Sequence, residues 1–253
     1  MIVRSEQTKI LEDAGKASFE GEMVDHLARY APRLYELRGP AVFGSVVRGG
    51  HRKANELGFE RRGPVRLILE MMVAFGCDFD TDPQLPAFSS ALADPGPQHE
   101  MDRAERVYEA VLKYRSEVVG EDGKLAIQAL EQVRRIASAA PPSNAERLLE
   151  ALQNAYPARF NHAGRSAMAR LVERAAAEAQ KRSVPTSAGV TLFAALMFAL
   201  GHGAFGDPLY PWIASALEDT QLPGPDQQVA RLRDRAIVYL DRVSTHWKAV
   251  HAG

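Results

Sequence analysis

An internal duplication is the feature that most constrains what this chain can fold into. Shifting the sequence by 125 residues aligns residues 27–94 with residues 152–219 without a gap, and 17 of the 68 aligned pairs are identical. Unrelated stretches of ordinary composition would share about four. The identical pairs include residues that shape the backbone, namely Pro32 with Pro157, Gly39 with Gly164, Gly76 with Gly201, Asp82-Pro83 with Asp207-Pro208, and Pro86 with Pro211. The sequence therefore predicts two tandem pseudo-repeats, unit 1 over residues 1–121 and unit 2 over residues 122–253.

Helical patterns occupy most of the chain. Apolar residues recur at three- and four-residue spacing in 107–118 and 168–181, and no stretch alternates in the manner of a strand. We therefore predict an all-α fold of about ten or eleven helices. Units that cannot each bury their apolar faces share a core, so we expect two small bundles packed into one compact body. A groove between the units would be the natural binding surface.

Composition excludes several classes of function. The net charge is −1, so no overall field favours nucleic acid or an acidic membrane. The longest apolar run, Val190–Leu200, is too short to cross a bilayer, and we expect it to form a buried helix. The first residues include acids and no apolar stretch, which is unlike a signal peptide. With a single cysteine, Cys77, these features predict a cytoplasmic protein without membrane insertion.

Three aspartates, Asp78, Asp80 and Asp82, stand at alternate positions before a proline. Alternating carboxylates are typical of calcium loops, which also need glycine at the sixth position and glutamate at the twelfth. Those positions hold Pro83 and Ser89, so the pattern favours a turn over a metal site. We predict no metal and no cofactor. A metal-dependent hydrolase using the three aspartates is retained as an alternative.

The residues common to both units indicate helix ends. Gly76 and Gly201 follow apolar runs and are predicted to terminate those helices, because glycine adopts positive φ without strain. Asp82 and Asp207 are predicted to cap the next helices, with Pro83 and Pro208 at their first positions.

No catalytic motif is recognised in the sequence. The seven histidines form no HExxH and no zinc spacing with cysteine. Cys77 follows a helix end, where the helix dipole disfavours a thiolate, so we expect no nucleophile there. The aromatic residues of the Asp-Pro connectors are candidate protein-binding anchors if exposed, and core residues otherwise. They are Phe79, Phe88, Tyr210 and Trp212.

Both units resemble a family of small helical proteins encoded in bacterial type VI secretion clusters, beside spike proteins, adaptors and effectors. In unit 1 the resemblance is carried by MIVRSEQ (1–7), FEGEMVDHLARYAP (19–32), ANELG (54–58), LEMMVAFGCDFDTDPQLP (69–86) and LAD (92–94). In unit 2 it is carried by LMFALG (196–201) and DPLYPW (207–212). Unit 1 departs from the family at Pro86-Ala87, where the family has Pro-Trp, and unit 2 lacks the acidic triplet.

The resemblance implies an accessory role in effector handling and supplies no catalytic residue. It implies a non-enzymatic adaptor or chaperone whose partner is another protein, an effector or a spike component. An immunity protein that neutralises a cognate toxin is the alternative among binding proteins. An adaptor predicts loss of secretion without loss of self-protection, whereas an immunity protein predicts rescue from one specific toxin.

Overall fold

A computed structural model of the protein describes residues 5–93, 99–218 and 224–251, and no strand occurs within these ranges. The all-α prediction is confirmed, with twelve α-helices in the described ranges. Residues 1–4 and the repeat pair Asp94 and Asp219 lie outside them. The helices are α1 Ser5–Tyr30, α2 Pro32–Glu56, α3 Arg62–Phe75, α4 Pro86–Ala93, α5 Glu100–Tyr114, α6 Lys124–Ser138, α7 Ala145–Ala155, α8 Pro157–Ala163, α9 Arg165–Lys181, α10 Ser187–Leu200, α11 Pro211–Leu217 and α12 Pro225–His251.

Helix bounds recur at the spacing of the sequence repeat. α2 is kinked at Gly39 (φ 77°, ψ 171°), which divides it into segments 32–38 and 40–56. In unit 2 the same positions hold α8 and α9, separated by Gly164 (φ 84°, ψ 153°). The bounds of α10 equal those of α3 plus 125. A duplication requires such coincidences, and the spatial equivalence of the two units stays a prediction.

The two units differ at their first helices. α1 is continuous over 26 residues, whereas the part of unit 2 that aligns with it in sequence is divided into α6 and α7. Pro141 and Pro142 lie between α6 and α7, and a proline cannot supply the backbone N–H that a continuing helix needs. α7 then starts at a new cap, because the side chain of Asn144 accepts a hydrogen bond from the Arg147 N–H (2.9 Å).

One apolar core runs through both units. α10 lies at its centre and packs on α6, α9 and α12. Ten of its 14 residues are buried, so the run Val190–Leu200 forms a buried helix, as predicted. α3 packs on α1, α2 and α5 in unit 1. Within the described ranges, no helix is both long and apolar enough to span a membrane.

A short irregular segment joins the units. α5 ends in a single π-helical turn, Arg115–Val119, against which α6 and α8 of unit 2 pack. The Tyr156 hydroxyl donates to the carbonyl oxygen of Val118 (2.7 Å). The turn that follows contains Gly120 and Gly123 at φ near 80°. Residues 120–123 therefore form a tight backbone turn at the seam between the units.

Candidate functional site

The C-terminal ends of α3 and α10 meet at two glycines. Gly76 (φ 97°) and Gly201 (φ 96°) are the residues that follow these helices. A Cβ on Gly201 would lie 2.6 Å from the Phe75 carbonyl oxygen, and a Cβ on Gly76 would lie 3.1 Å from the Leu200 carbonyl oxygen. Glycine is therefore needed at Gly201 for two reasons, the positive φ and the close approach of the facing backbone.

Crossed hydrogen bonds from two buried aspartates join the units around this contact. Oδ2 of Asp82 accepts from the backbone N–H of His202 (2.8 Å), and Oδ2 of Asp207 accepts from the backbone N–H of Cys77 (2.9 Å). The second oxygen of each carboxylate accepts from a backbone N–H two residues further along its own connector (2.8 Å in both cases). Each aspartate thus fixes its own turn and also binds the helix end of the facing unit.

The predicted capping role of these aspartates is therefore wrong. α4 begins at Pro86 and α11 at Pro211, so Asp82-Pro83 and Asp207-Pro208 lie in the connectors before them. The second proline of each connector starts the helix, because a first-turn position needs no backbone N–H. The crossed hydrogen bonds could not be predicted, since their partners lie 120 and 130 residues apart.

Two of the three alternating aspartates lie beside Lys53, and the third belongs to the crossed hydrogen bonds. Asp80 pairs with Lys53 (Nζ–Oδ1 2.5 Å), a residue that the sequence pattern did not single out. Asp78 is more exposed, and its Oδ1 lies 3.7 Å from the same Lys53 Nζ. It also lies against Gly203, where a Cβ would come within 2.5 Å of its carboxylate oxygen. Asp82 is buried in the crossed hydrogen bonds. Within the described ranges, no cluster of three or more His, Cys, Asp or Glu side chains could hold a metal ion.

Cys77 lies beside the seam in an environment that keeps its thiol protonated. Burial, followed by the nearby carboxylate of Asp207, raises the pKa of the thiol far above its ordinary value. Burial also raises the pKa of Asp207. A nucleophilic cysteine needs the opposite surroundings, such as a cation or a helix N-terminus.

Two of the four candidate aromatic anchors are core residues. Phe79 and Phe88 are both 0% exposed, so their candidacy as binding anchors is wrong. The Phe88 ring packs edge-on against Phe75 (4.9 Å between centroids). These rings are buried because α4 packs on α5 and the short turn that begins at Phe79 packs on α3.

The other two anchors, Tyr210 and Trp212, are half-buried and belong to an aromatic cluster on α11 and α12. Trp212 stacks on Tyr239 (5.3 Å, 28° between planes), and Tyr210 meets the same ring edge-on (5.9 Å, 82°). The cluster forms one wall of a surface groove of about 380 Å³, which we call the Trp212 groove. It is lined by Arg38, Trp212, Asp234, Arg235, Val238, Tyr239 and Arg242.

The Trp212 groove is apolar at its centre and mainly cationic around it. Val238 is 50% exposed, and three arginines against one aspartate give the lining a formal charge of +2. The Arg38 guanidinium lies 5.9 Å from the centre of the Tyr239 ring. Within the described part of the chain, Nε of Arg38 and Nε1 of Trp212 are buried without a hydrogen-bond partner.

Comparison with known proteins gives no match to a family model, a curated protein or a solved structure. The resemblance to the type VI secretion family thus stays a prediction from sequence motifs.

Proposed function

We propose that this protein is a non-enzymatic protein-binding accessory, an adaptor or chaperone for an effector or spike component of a type VI secretion system. The Trp212 groove is the observation that supports binding. Tryptophan, tyrosine and arginine are the residues most enriched where interface energy concentrates, and all three meet in this groove. The assignment to secretion is supported by the motif resemblance alone.

The chemistry of the groove specifies the partner segment. A bound side chain that covers Trp212 and Val238 would be apolar, because it replaces water on an aromatic and aliphatic surface. The lining charge of +2 favours acidic residues beside that anchor. The partner is thus a segment with an apolar anchor flanked by acids.

A matched pair of substitutions on α12 tests the binding. Val238 lies in the groove and is 50% exposed, whereas Val250 is 59% exposed and lies outside the groove lining. Val238→Glu removes apolar surface and places a carboxylate where the partner's acid would bind. It should raise the partner's Kd at least about tenfold, or about 1.4 kcal/mol, and Val250→Glu should not.

The measurement uses purified wild-type and variant proteins with the effector and spike proteins of the producing bacterium, by calorimetry. Secretion and self-protection are then compared in cells carrying each variant. The adaptor proposal expects Val238→Glu to lose secretion and keep self-protection. The adaptor proposal is wrong if Val238→Glu and Val250→Glu bind every tested partner with the same Kd. It is also wrong if Val238→Glu makes the cell sensitive to one toxin, which would indicate an immunity protein.

A further inference from the structure

A second cavity system lies at the seam, around the end of α5. Tyr114 is 0% exposed, and its ring meets His162 of unit 2 edge-on (5.1 Å, 89°). Its hydroxyl lies beside the Arg159 guanidinium, but no hydrogen bond of good geometry reaches it within the described ranges. Leaving a buried hydroxyl without a hydrogen bond costs free energy of folding. The Tyr114 hydroxyl therefore indicates a hydrogen-bond partner from outside the chain.

Arg159 of α8 is the cationic neighbour of Tyr114. One guanidinium nitrogen of Arg159 donates to the carbonyl oxygen of Phe198 (2.5 Å), and the guanidinium lies 4.9 Å from the Tyr156 ring centre. Its Nε is buried and has no acceptor among the described residues. Buried cations are normally paired with an anion, and the carboxylate whose charge acts on Arg159 is that of Asp82.

Asp82 is the acidic neighbour of Arg159, but its carboxylate is already engaged. It accepts from the backbone N–H groups of Gln84 and His202 and from the side-chain amide of Gln84 (3.2 Å). The amide oxygen Oε1 of Gln84 is itself buried without a donor, within the described ranges. The acceptor that Arg159 and Tyr114 lack is therefore not available from Asp82.

Two cavities meet these polar groups. A small one of about 50 Å³ is lined by Asp82, Gln84, Tyr114 and Arg159 among others. A larger one of about 220 Å³ has a mainly apolar wall from α6, including Ala126, Ala129, Leu130 and Val133. Both cavities share the five lining residues Ala74, Phe75, Tyr114, Arg159 and Ala199. The arrangement is a polar end joined to an apolar chamber.

We propose that this double cavity binds a small carboxylate with an apolar body. The carboxylate accepts from Nε of Arg159 and the Tyr114 hydroxyl, and the body occupies the chamber lined by α6. A cavity of about 150 Å³ holds benzene, so 220 Å³ accommodates a phenyl ring on a short chain. An amide or hydroxyl head would satisfy a donor but leave the guanidinium charge unpaired. The acid is therefore the preferred ligand.

The probe is 3-phenylpropionate, compared with 3-phenylpropanamide, which has the same body and no charge. Calorimetry and thermal unfolding of the full chain should show the acid binding at least about tenfold more tightly than the amide. Arg159→Met should reduce acid binding at least tenfold and abolish the preference for the acid. Arg38→Met, which removes the arginine beside Tyr239 in the Trp212 groove, should change neither.

Ala126→Leu provides a test that leaves the polar groups intact. Ala126 is half-buried and lines the apolar chamber, so a larger side chain should block both the acid and the amide while the far-UV spectrum stays helical. The proposal is overturned if wild type binds neither compound at about 1 mM, or binds both equally. It is also overturned if Arg159→Met binds like wild type, or if a crystal soaked with the acid shows only water at Nε of Arg159. None of these results depends on the Trp212 groove.

Discussion

The glycine that follows α10 offers a quantitative test of the contact between the units. Gly201 (φ 96°, ψ 150°) and Gly164 (φ 84°, ψ 153°) have nearly the same backbone conformation. A Cβ on Gly201 would lie 2.6 Å from the Phe75 carbonyl oxygen, whereas a Cβ on Gly164 meets no described atom within 4 Å. Alanine at Gly164 therefore measures backbone strain alone, and alanine at Gly201 measures strain plus steric overlap.

The expected magnitudes follow from those two terms. An L-residue in this conformation costs about 1–3 kcal/mol, which is the whole effect expected for Gly164→Ala. The overlap at Gly201 adds about 1–3 kcal/mol, because the atom it meets is backbone and cannot rotate away. Gly21→Ala is the opposite control. Gly21 lies in α1 with no described atom within 4 Å of a Cβ, so alanine should stabilise by about 0.4–1 kcal/mol.

Urea unfolding followed by circular dichroism gives the free energy of unfolding of each variant. The values can be compared when the slope of that free energy against urea concentration is the same in all variants. For a chain of 253 residues, each 1 kcal/mol should also appear as about 2–4 °C in Tm. We expect Gly21→Ala to be more stable than wild type, Gly164→Ala to be less stable, and Gly201→Ala to be the least stable. If Gly201→Ala costs no more than Gly164→Ala, within about 0.5 kcal/mol, the close contact between the ends of α3 and α10 does not exist in solution.

Two further predictions concern the buried groups beside that contact. Burial raises the pKa of Asp207, so the neutral carboxyl is favoured more in the folded than in the unfolded chain. The free energy of unfolding should therefore fall as pH rises from the ordinary carboxyl pKa through the raised value, and Asp207→Asn should remove that part of the slope in urea titrations at several pH values. Burial and Asp207 also raise the pKa of Cys77, so iodoacetamide should alkylate the folded protein much more slowly than the urea-unfolded chain. Asp207→Asn should accelerate alkylation of the folded form, and an unchanged rate would contradict the role given to Asp207.

Local features of the sequence predicted much of the fold. Glycine and proline act on the backbone of their own neighbourhood, so the breaks at Gly39, Gly76, Gly164 and Gly201 could be placed from the sequence. The burial of α10 could also be predicted from its own residues, because a helix that is apolar on all sides is stable only when other helices cover it. The misplaced helix starts had a usable signal, because a second proline stood in each connector, at Pro86 and Pro211.

The candidate site was less predictable, because exposure depends on what packs above a residue. Phe88 and Trp212 both lie within two residues of the prolines that begin α4 and α11. The Phe88 ring lies under α5 beside Tyr114 (5.5 Å), whereas Trp212 lies on the outside of α12 and borders a groove. No pattern within either connector distinguishes the two environments.

The sequence by itself determined that the chain is helical, where its apolar helices end and which residues recur at a spacing of 125. Those properties depend on backbone conformation and on neighbours within a few residues. Only the tertiary structure decided that Asp82 and Asp207 bind the facing helix ends, that Lys53 neutralises Asp80 and that Arg159 meets Tyr114. These contacts join residues 27 to 130 positions apart, and their hydrogen bonds and ion pairs are strengthened where the surrounding chain excludes water. The spacing of residues in the sequence does not indicate which distant residues will make these contacts.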